Sequence, residues 1–320
     1  MVRGLLEQPP TICSKYFYDQ RGSKLFDQIC ELDEYYPTRT ETEIMRRYAD
    51  AMVARIGVPA RLIEYGSGSS QKTRWLLKAL PAETCYVPVD ISAEHLQASS
   101  DRLRREFPRR TIQPVAADFT RPFKLPAPDS GSGASNGFDA DVIYFPGSTI
   151  GNFGKPDALA LLAQMAAVVQ PGGGLLIGFD LVKDHDVLQA AYDDSAGVTA
   201  AFNRNILRHV NAITGADFDP EEFAHIAFFD ADHGRIEMHL EAQGEQRVRV
   251  GGRRIVFQDG QRIRTEYSHK YTASGFCELA TSAGWEFQDL WTDDRRYFAV
   301  ARFQTPRGSG PSPEAGSATG

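Results

Sequence analysis

Cysteine is scarce and badly spaced for chemistry. The four residues Cys13, Cys30, Cys85 and Cys277 form no CxxC pair and have no neighbouring histidine. Neither a disulfide framework nor a zinc site fits that spacing, so reduced structural thiols are the expectation. The seven histidines contain no HExxH, and no metal is indicated. Long apolar runs are missing as well. The longest, residues 158–169, is interrupted by Gln164 and is too short to cross a bilayer. Residues 1–10 lack the apolar stretch of a secretory signal, which predicts a cytoplasmic protein. Positive charge is in deficit: 35 basic residues against 42 acidic ones leave a net charge of −7. Such a chain has no electrostatic footprint for nucleic acid or an anionic membrane, so small molecules are the expected partners. No internal repeat is visible.

What is present suits a globular protein with one large core or two modest ones: 320 residues, 42% hydrophobic and 24% charged. Residues 14–56 read as helical. Leu25, Phe26, Ile29 and Leu32 recur at helical spacing, Pro37 breaks the segment, and Thr40 with Glu43 resembles a capping box opening a second helix. From Arg61 the texture becomes strand, glycine turn, helix, strand. Strands are expected over 62–64, 85–89, 111–116, 141–145 and 175–179, with helices over 72–80, 95–107 and 158–170 between them. That alternation predicts an α/β, parallel, doubly wound sheet. Residues 126–137 read as a flexible surface loop. Beyond Asp184, a helix over 187–208 precedes apolar and polar alternation over 225–270, in which Asp259-Gly260 signals a type I′ hairpin. Helix and strand return over 272–283 and 285–303, and the Gly-, Ser- and Pro-rich tail 305–320 is expected to be disordered.

The first glycine turn, Gly66-Ser67-Gly68, follows a strand and precedes a helix, the arrangement that brings backbone N–H groups up to a nucleotide. Three readings compete. A Walker A loop needs glycine where Gln71 stands before Lys72-Thr73, and a Walker B strand should end in an acid, whereas Asp141 opens its strand. A dinucleotide loop also wants its third glycine at Gln71. S-adenosylmethionine has no phosphate, and its pocket would use carboxylates instead. Glu64 sits just before the loop. Asp90 ends the next strand, where it could accept from both ribose hydroxyls, and Asp118-Phe119 ends the third, placed to grip adenine. Each acid alone could be an ordinary polar strand end. Their recurrence at successive carboxyl ends, where open α/β sheets bind ligands, favours the methyltransferase reading.

Longer motifs go further. Segments 18–26 (YDQRGSKLF), 34–41 (EYYPTRTE), 64–68 (EYGSG) and 145–153 (FPGSTIGNF), Tyr271-Thr272, and 291–294 (WTDD) resemble the histidine-specific Nα-methyltransferase family over roughly residues 16–303. The resemblance implies a class I methyltransferase, Rossmann-like, doubly wound domain (57–183 plus 271–304) and a second α+β substrate-binding domain (14–56 plus 184–270). It implies an enzyme that methylates the α-amine of free histidine with S-adenosylmethionine, making hercynine for ergothioneine biosynthesis. A monomer is expected. Carried over by position, Gly66, Lys72, Asp90 and Asp118 would serve the cofactor, and the strand-end and loop chemistry adds Glu64, Ser67, Gly68 and Phe119. Tyr35, Asn152 and Tyr192 would hold the amine and carboxylate, with Tyr35 and Asn152 closest to the chemistry. Glu266 and Ser268, with Tyr18 nearby, would read the imidazole.

Residue chemistry agrees with that assignment. Glu266 and Ser268 stand two apart on an expected strand, so they face the same way. A carboxylate and a hydroxyl can together meet both ring nitrogens of imidazole, though a solvated strand face would also carry such a pair. Met238 suits the lining of the ring pocket and ordinary core packing equally well. Tyr35 and Tyr192 could be half-buried packing residues. Two other functions stay open: methylation of tryptophan or another amino acid derivative, and a silent S-adenosylmethionine-binding module. Indole offers no second ring nitrogen for Glu266 and Ser268 to read, and a retired site need not keep a whole substrate set.

Overall fold

The computed structural model describes residues 1–68, 70–127, 141–169 and 171–307. The loop expected over 126–137 and the tail expected from Thr305 lie outside the described residues, except for 126–127 and 305–307. Thr305 itself is buried, its N–H donating to Gly173 O at 2.9 Å.

The chain opens with the short helix α1 (Val2–Leu5), a 3₁₀ turn at Ser14–Phe17, and α2 (Gln20–Ile29), whose N-cap Asp19 accepts from Gly22 N–H. Next comes α3 (Tyr36–Ile56). The expected capping box at Thr40 and Glu43 is not formed: the helix starts at Tyr36, and Thr40 is buried inside it. Pro37 sits in the first turn, where its missing N–H costs nothing, so it starts this helix rather than ending the one before.

The alternating region folds as expected: β1 (Arg61–Tyr65), α4 (Thr73–Ala79), β2 (Cys85–Asp90), α5 (Ala93–Glu106), β3 (Val115–Ala116), β4 (Val142–Phe145), α6 (Lys155–Val169) and β5 (Gly174–Asp180). The strand expected over 111–116 is reduced to β3 and one bridge, Tyr86 to Ile112. The helix expected over 187–208 is two: α7 (His185–Ala190) and α8 (Val198–Thr214). Between them Gly197 takes φ +71°, and Asp194 caps the second helix by accepting from Val198 and Thr199 N–H at 2.8 and 2.7 Å.

Five strands follow: β6 (Phe223–Asp230), β7 (Arg235–Ala242), β8 (Gln246–Val250), β9 (Arg253–Phe257) and β10 (Arg262–His269). The type I′ hairpin expected at Asp259-Gly260 is elsewhere. There, Gly260 alone has positive φ, as in a type II turn, and the turn joins β9 to β10, which lie in different sheets. The two-residue hairpin turn is Gly251-Gly252, both at positive φ (+56° and +75°), between the paired β8 and β9. Helix α9 (Ala273–Ser282), β11 (Glu286–Thr292) and β12 (Phe298–Gln304) complete the described fold.

The large sheet has the order β11-β12-β5-β4-β1-β2-β3, parallel except where β12 pairs with β5 and β11. This is the doubly wound sheet expected. β4 (VIYF) is buried at every position, as a central parallel strand must be. Alternate residues feed two cores. Ile63, Val87, Ile143 and Ile177 face α6 and α9, while Leu62, Tyr86, Tyr144 and Leu176 face α3 and α4. The strand order reverses between β1 and β4, which opens the crevice where such sheets bind ligands.

A third core lies under the antiparallel sheet β10-β7-β6, which packs against α8, α2 and the ribbon β8–β9. Helix α3 is shared. Tyr36 in its first turn joins that third core, whereas Ile44, Met45 and Met52 pack on the large sheet, so residues 14–56 do not sit wholly with the smaller sheet.

Candidate active site

The crevice at the β1–β4 switch opens into a cavity of about 1260 Å³ that runs under β10 and is also lined by α2, α3 and residues 11–15. Every residue singled out above lines it: Glu64, Gly66, Ser67, Gly68, Lys72, Asp90, Asp118 and Phe119 on the sheet side, and Tyr18, Tyr35, Asn152, Tyr192, Met238, Glu266 and Ser268 beyond.

On the sheet side, Gly66 and Gly68 take φ +69° and +49°, values a side chain would strain. Gly66 and Ser67 N–H both donate to Val89 O, and Gly68 N–H donates to Asp90 Oδ2 at 2.9 Å. Asp90 Oδ1 accepts from Ser92 N–H. The loop and the acid at the end of β2 therefore fix one another at the cavity wall.

Glu64 faces inward but is already engaged, accepting from Thr73 Oγ1 at 2.6 Å and from the Tyr86 hydroxyl. Burial raises its pKa to about 8 despite those bonds. It braces the loop against α4 and β2. At the third strand's end, Asp118 accepts from Lys15 Nζ at 2.9 Å and from Thr120. Burial works to raise its pKa, but the Thr120 and Lys15 hydrogen bonds outweigh it and leave the carboxyl below its ordinary value. Phe119 stacks on Tyr65 with ring centroids 5.5 Å apart.

Lys72 pairs with Glu41, a fully buried residue of α3 that sequence reasoning did not single out. Glu41 also accepts from Gly147 N–H, at 3.1 and 2.9 Å to its two oxygens, so it ties the first glycine loop to the one after β4. The space it fills exists because position 178 is glycine. A Cβ there would lie 2.2 Å from Glu41 Oε1.

The loop after β4 carries Asn152 in a 3₁₀ turn (Thr149–Asn152), entered through Ser148 in the left-handed region at φ +56°. Ser148 Oγ accepts from Asp180 N–H at 3.0 Å. Gly151 lies flat against β10: a Cβ would come within 2.9 Å of His269 O. That close approach brings the Asn152 turn beside the strand that carries Glu266 and Ser268. Within β10 the register shifts between Arg264 and Glu266, and Glu266 pairs across to Met238.

No hydrogen bond to the Glu266 carboxyl forms among the described residues, and the half-buried group lies at the cavity wall, where desolvation pushes its pKa up to about 8 against the pull of Lys270. Rings surround it. Tyr18 meets Phe26 and Phe202 edge-on, and Tyr35 meets Phe26 and Tyr192 at 6.1 and 6.2 Å. Burial raises the Tyr18, Tyr35 and Tyr192 hydroxyls above the ordinary phenol value. They stay neutral and can relay a proton but not keep one.

Behind Ser268, Lys270 and Lys183 converge on Asp180, which burial would raise but the two ammonium groups hold below the usual carboxylate range. Tyr36 donates to the same carboxylate at 2.6 Å. Of these, Lys270 could have been found by continuing the stride 266, 268, 270. Asp180, 90 residues earlier, leaves no local signal. Among the described residues no group of three or more His, Cys, Asp or Glu side chains could hold a metal ion, and no helix is long and apolar enough to cross a membrane.

The family described as histidine-specific methyltransferase, SAM-dependent, matches residues 1–305. A histidine N-alpha-methyltransferase of Mycolicibacterium smegmatis is 40% identical over 304 residues, covering 93% of this chain and 91% of its own. The histidine N-alpha-methyltransferase of Mycobacterium tuberculosis is 40% identical over 303 residues, with the same coverage of 93% and 91%. Ergothioneine biosynthesis protein 1 of Schizosaccharomyces pombe is 30% identical over 80% of this chain, which spans 34% of that longer protein.

Proposed function

The chain belongs to the family of S-adenosylmethionine-dependent, histidine-specific methyltransferases, and from that premise we propose that it methylates the α-amino nitrogen of free L-histidine, up to the betaine hercynine of ergothioneine biosynthesis. The observation that carries the reading is the unpartnered Glu266 carboxyl facing the same cavity as Ser268. A half-buried acceptor and a hydroxyl donor side by side complement an imidazole, with its one N–H and one bare nitrogen. A phenyl ring would leave both groups unsatisfied.

The residues present fit S-adenosylmethionine. The glycine loop, with no side chains at Gly66 and Gly68, leaves room for backbone to approach it, and Asp90 and Asp118 stand where hydroxyl and amine donors of a phosphate-free nucleoside need acceptors. When bound it supplies an electrophilic methyl carbon on sulfonium. The chain's part is positional. Asn152 and Tyr35 hold the substrate amine with its lone pair toward the donor, Asn152 offering both a donor and an acceptor. Tyr18, Tyr35 and Tyr192 exclude water and present ring faces to the nitrogen as it gains positive charge. Their neutral hydroxyls pass each departing proton toward solvent. The cofactor is assigned to residues 57–183 with 271–304, and the amino acid to 184–270 with the N-terminal elements. The same reading takes the enzyme as a cytoplasmic monomer.

Mass spectrometry of the purified protein with S-adenosylmethionine and separate amino acids tests the function. Stepwise gain of up to three methyl groups on histidine is expected. Methylation of tryptophan in preference would keep the fold and the donor but overturn the ring-pocket assignment.

A further inference from the structure

Behind the ring pocket lies a buried charge that methyl transfer itself does not use. Lys270 follows the last residue of β10, and its side chain is 0% exposed. Its ammonium donates to Asp180 Oδ2 at 2.8 Å, to Ser268 Oγ at 2.9 Å and to the Tyr192 hydroxyl oxygen at 3.1 Å. An ammonium has three N–H groups, and these three acceptors occupy all of them. Asp180 draws the charge into place, and the interaction with it keeps Lys270 protonated against the cost of burial.

The consequence falls on Ser268. Its oxygen lies 2.7 Å from the Tyr192 hydroxyl, so one of the two donates to the other. Either hydroxyl could donate; the donor role is assigned to the phenol as the stronger acid. Ser268 Oγ then accepts twice, from Lys270 and from Tyr192. With both lone pairs filled, it can meet a ligand only through its proton.

We propose that Lys270 is a positioning residue that makes Ser268 an obligate donor, so that the pocket selects a ring bearing a bare nitrogen opposite Ser268 and an N–H opposite Glu266. The proposal rests on the histidine reading and sharpens it, since it names the neutral imidazole as the form bound. An indole would turn N–H or C–H toward a hydroxyl that can only donate. A ring nitrogen blocked by methylation would do the same. Tyr192 keeps one lone pair free for the substrate amine.

The test uses four variants: Lys270→Met, Ser268→Ala, the double variant, and Lys183→Met. Lys183 grips the same Asp180 but touches neither hydroxyl among the contacts of its ammonium. Steady-state kinetics with histidine and with a ring-N-methylated histidine are measured alongside calorimetric binding of S-adenosylmethionine. Lys270→Met should raise KM for histidine by about 10- to 100-fold, and narrow the preference for histidine over the methylated ring. Donor affinity should be unchanged.

The double variant should be no worse than the poorer single one, because both act through the same hydrogen bond from Ser268 to the ring. Lys183→Met should cost far less than Lys270→Met. Equal losses in those two variants, or losses that multiply in the double, would overturn the proposal. If Lys270→Met does not fold, Asp180→Asn with Lys270→Met removes both charges together and is read against the same criteria. A wild-type protein silent on histidine overturns the functional reading and this one with it. An active wild type with an unaffected Lys270→Met overturns this one alone.

Discussion

Replacing Glu266 with glutamine separates recognition from stability, and the two should move in opposite directions. In the ligand-free protein, burial raises this carboxyl from 4.5 to about 8. Below pH 4.5 the group is protonated in both folded and unfolded chains and contributes nothing. As pH rises from there to about 8 the unfolded chain ionises first, so the folded state loses stability across that window and the loss is complete above it. A gap of roughly 3.5 units at 1.36 kcal/mol each sets a ceiling of about 5 kcal/mol, and water in the cavity reduces this to a few kcal/mol.

Glutamine keeps the shape and never ionises. Glu266→Gln should therefore match the wild type near pH 4.5 and become more stable than it as pH approaches 8.5, when both are compared by urea denaturation without ligand. Saturating histidine should reverse the order at pH 8.5, because binding stabilises only the wild type appreciably. Using the difference between the two proteins cancels Glu64, which burial raises similarly in both. A stability gap that stays flat with pH would refute the desolvated, cavity-facing placement of Glu266.

Two further outcomes follow from the geometry. Asn152→Ala should lower kcat for histidine by about 100-fold, the scale of losing amine alignment, while isothermal titration finds S-adenosylmethionine binding nearly intact. Unchanged turnover would sink the role of Asn152. Gly178→Ala pushes a methyl to 2.2 Å from Glu41 Oε1 and 2.9 Å from Phe298 Cε1. It should cost about 1–3 kcal/mol in chemical denaturation, and it should weaken donor binding too, because Glu41 holds Lys72 and Gly147. A stable variant with normal donor affinity would mean that Glu41 moves aside freely.

Much of the architecture was legible because it is written in local periodicity. Strands such as β4 and β5 are continuous apolar runs bounded by acidic, proline or glycine residues, and the helices between the strands repeat at helical spacing. The glycine loop and the acids at successive strand ends were legible for the same reason: each sits at a transition between elements. The misreadings arose where a local signal has two meanings. A proline can stop one helix or start the next, and Pro37 does the second, while Asp259-Gly260 marks a turn without saying which strands it joins. The break before α8 depends on Asp194 capping across Gly197, in a stretch whose apolar pattern alone reads as one helix.

By itself the sequence determined the doubly wound sheet, the glycine turn after its first strand, and the residue types of the proposed amino-acid site, because all of these follow from short-range pattern and long motifs. Tertiary structure alone decided which carboxylates are occupied and which is left open. Glu41, Glu64 and Asp180 are taken by partners 31, 9 and 90 residues away, while Glu266 keeps its acceptors for a ligand. It alone also decided that Lys270 lies buried behind Ser268. Desolvation, pairing and the direction of a hydrogen bond depend on distances through space, and chain position fixes those distances only once the sheets have packed.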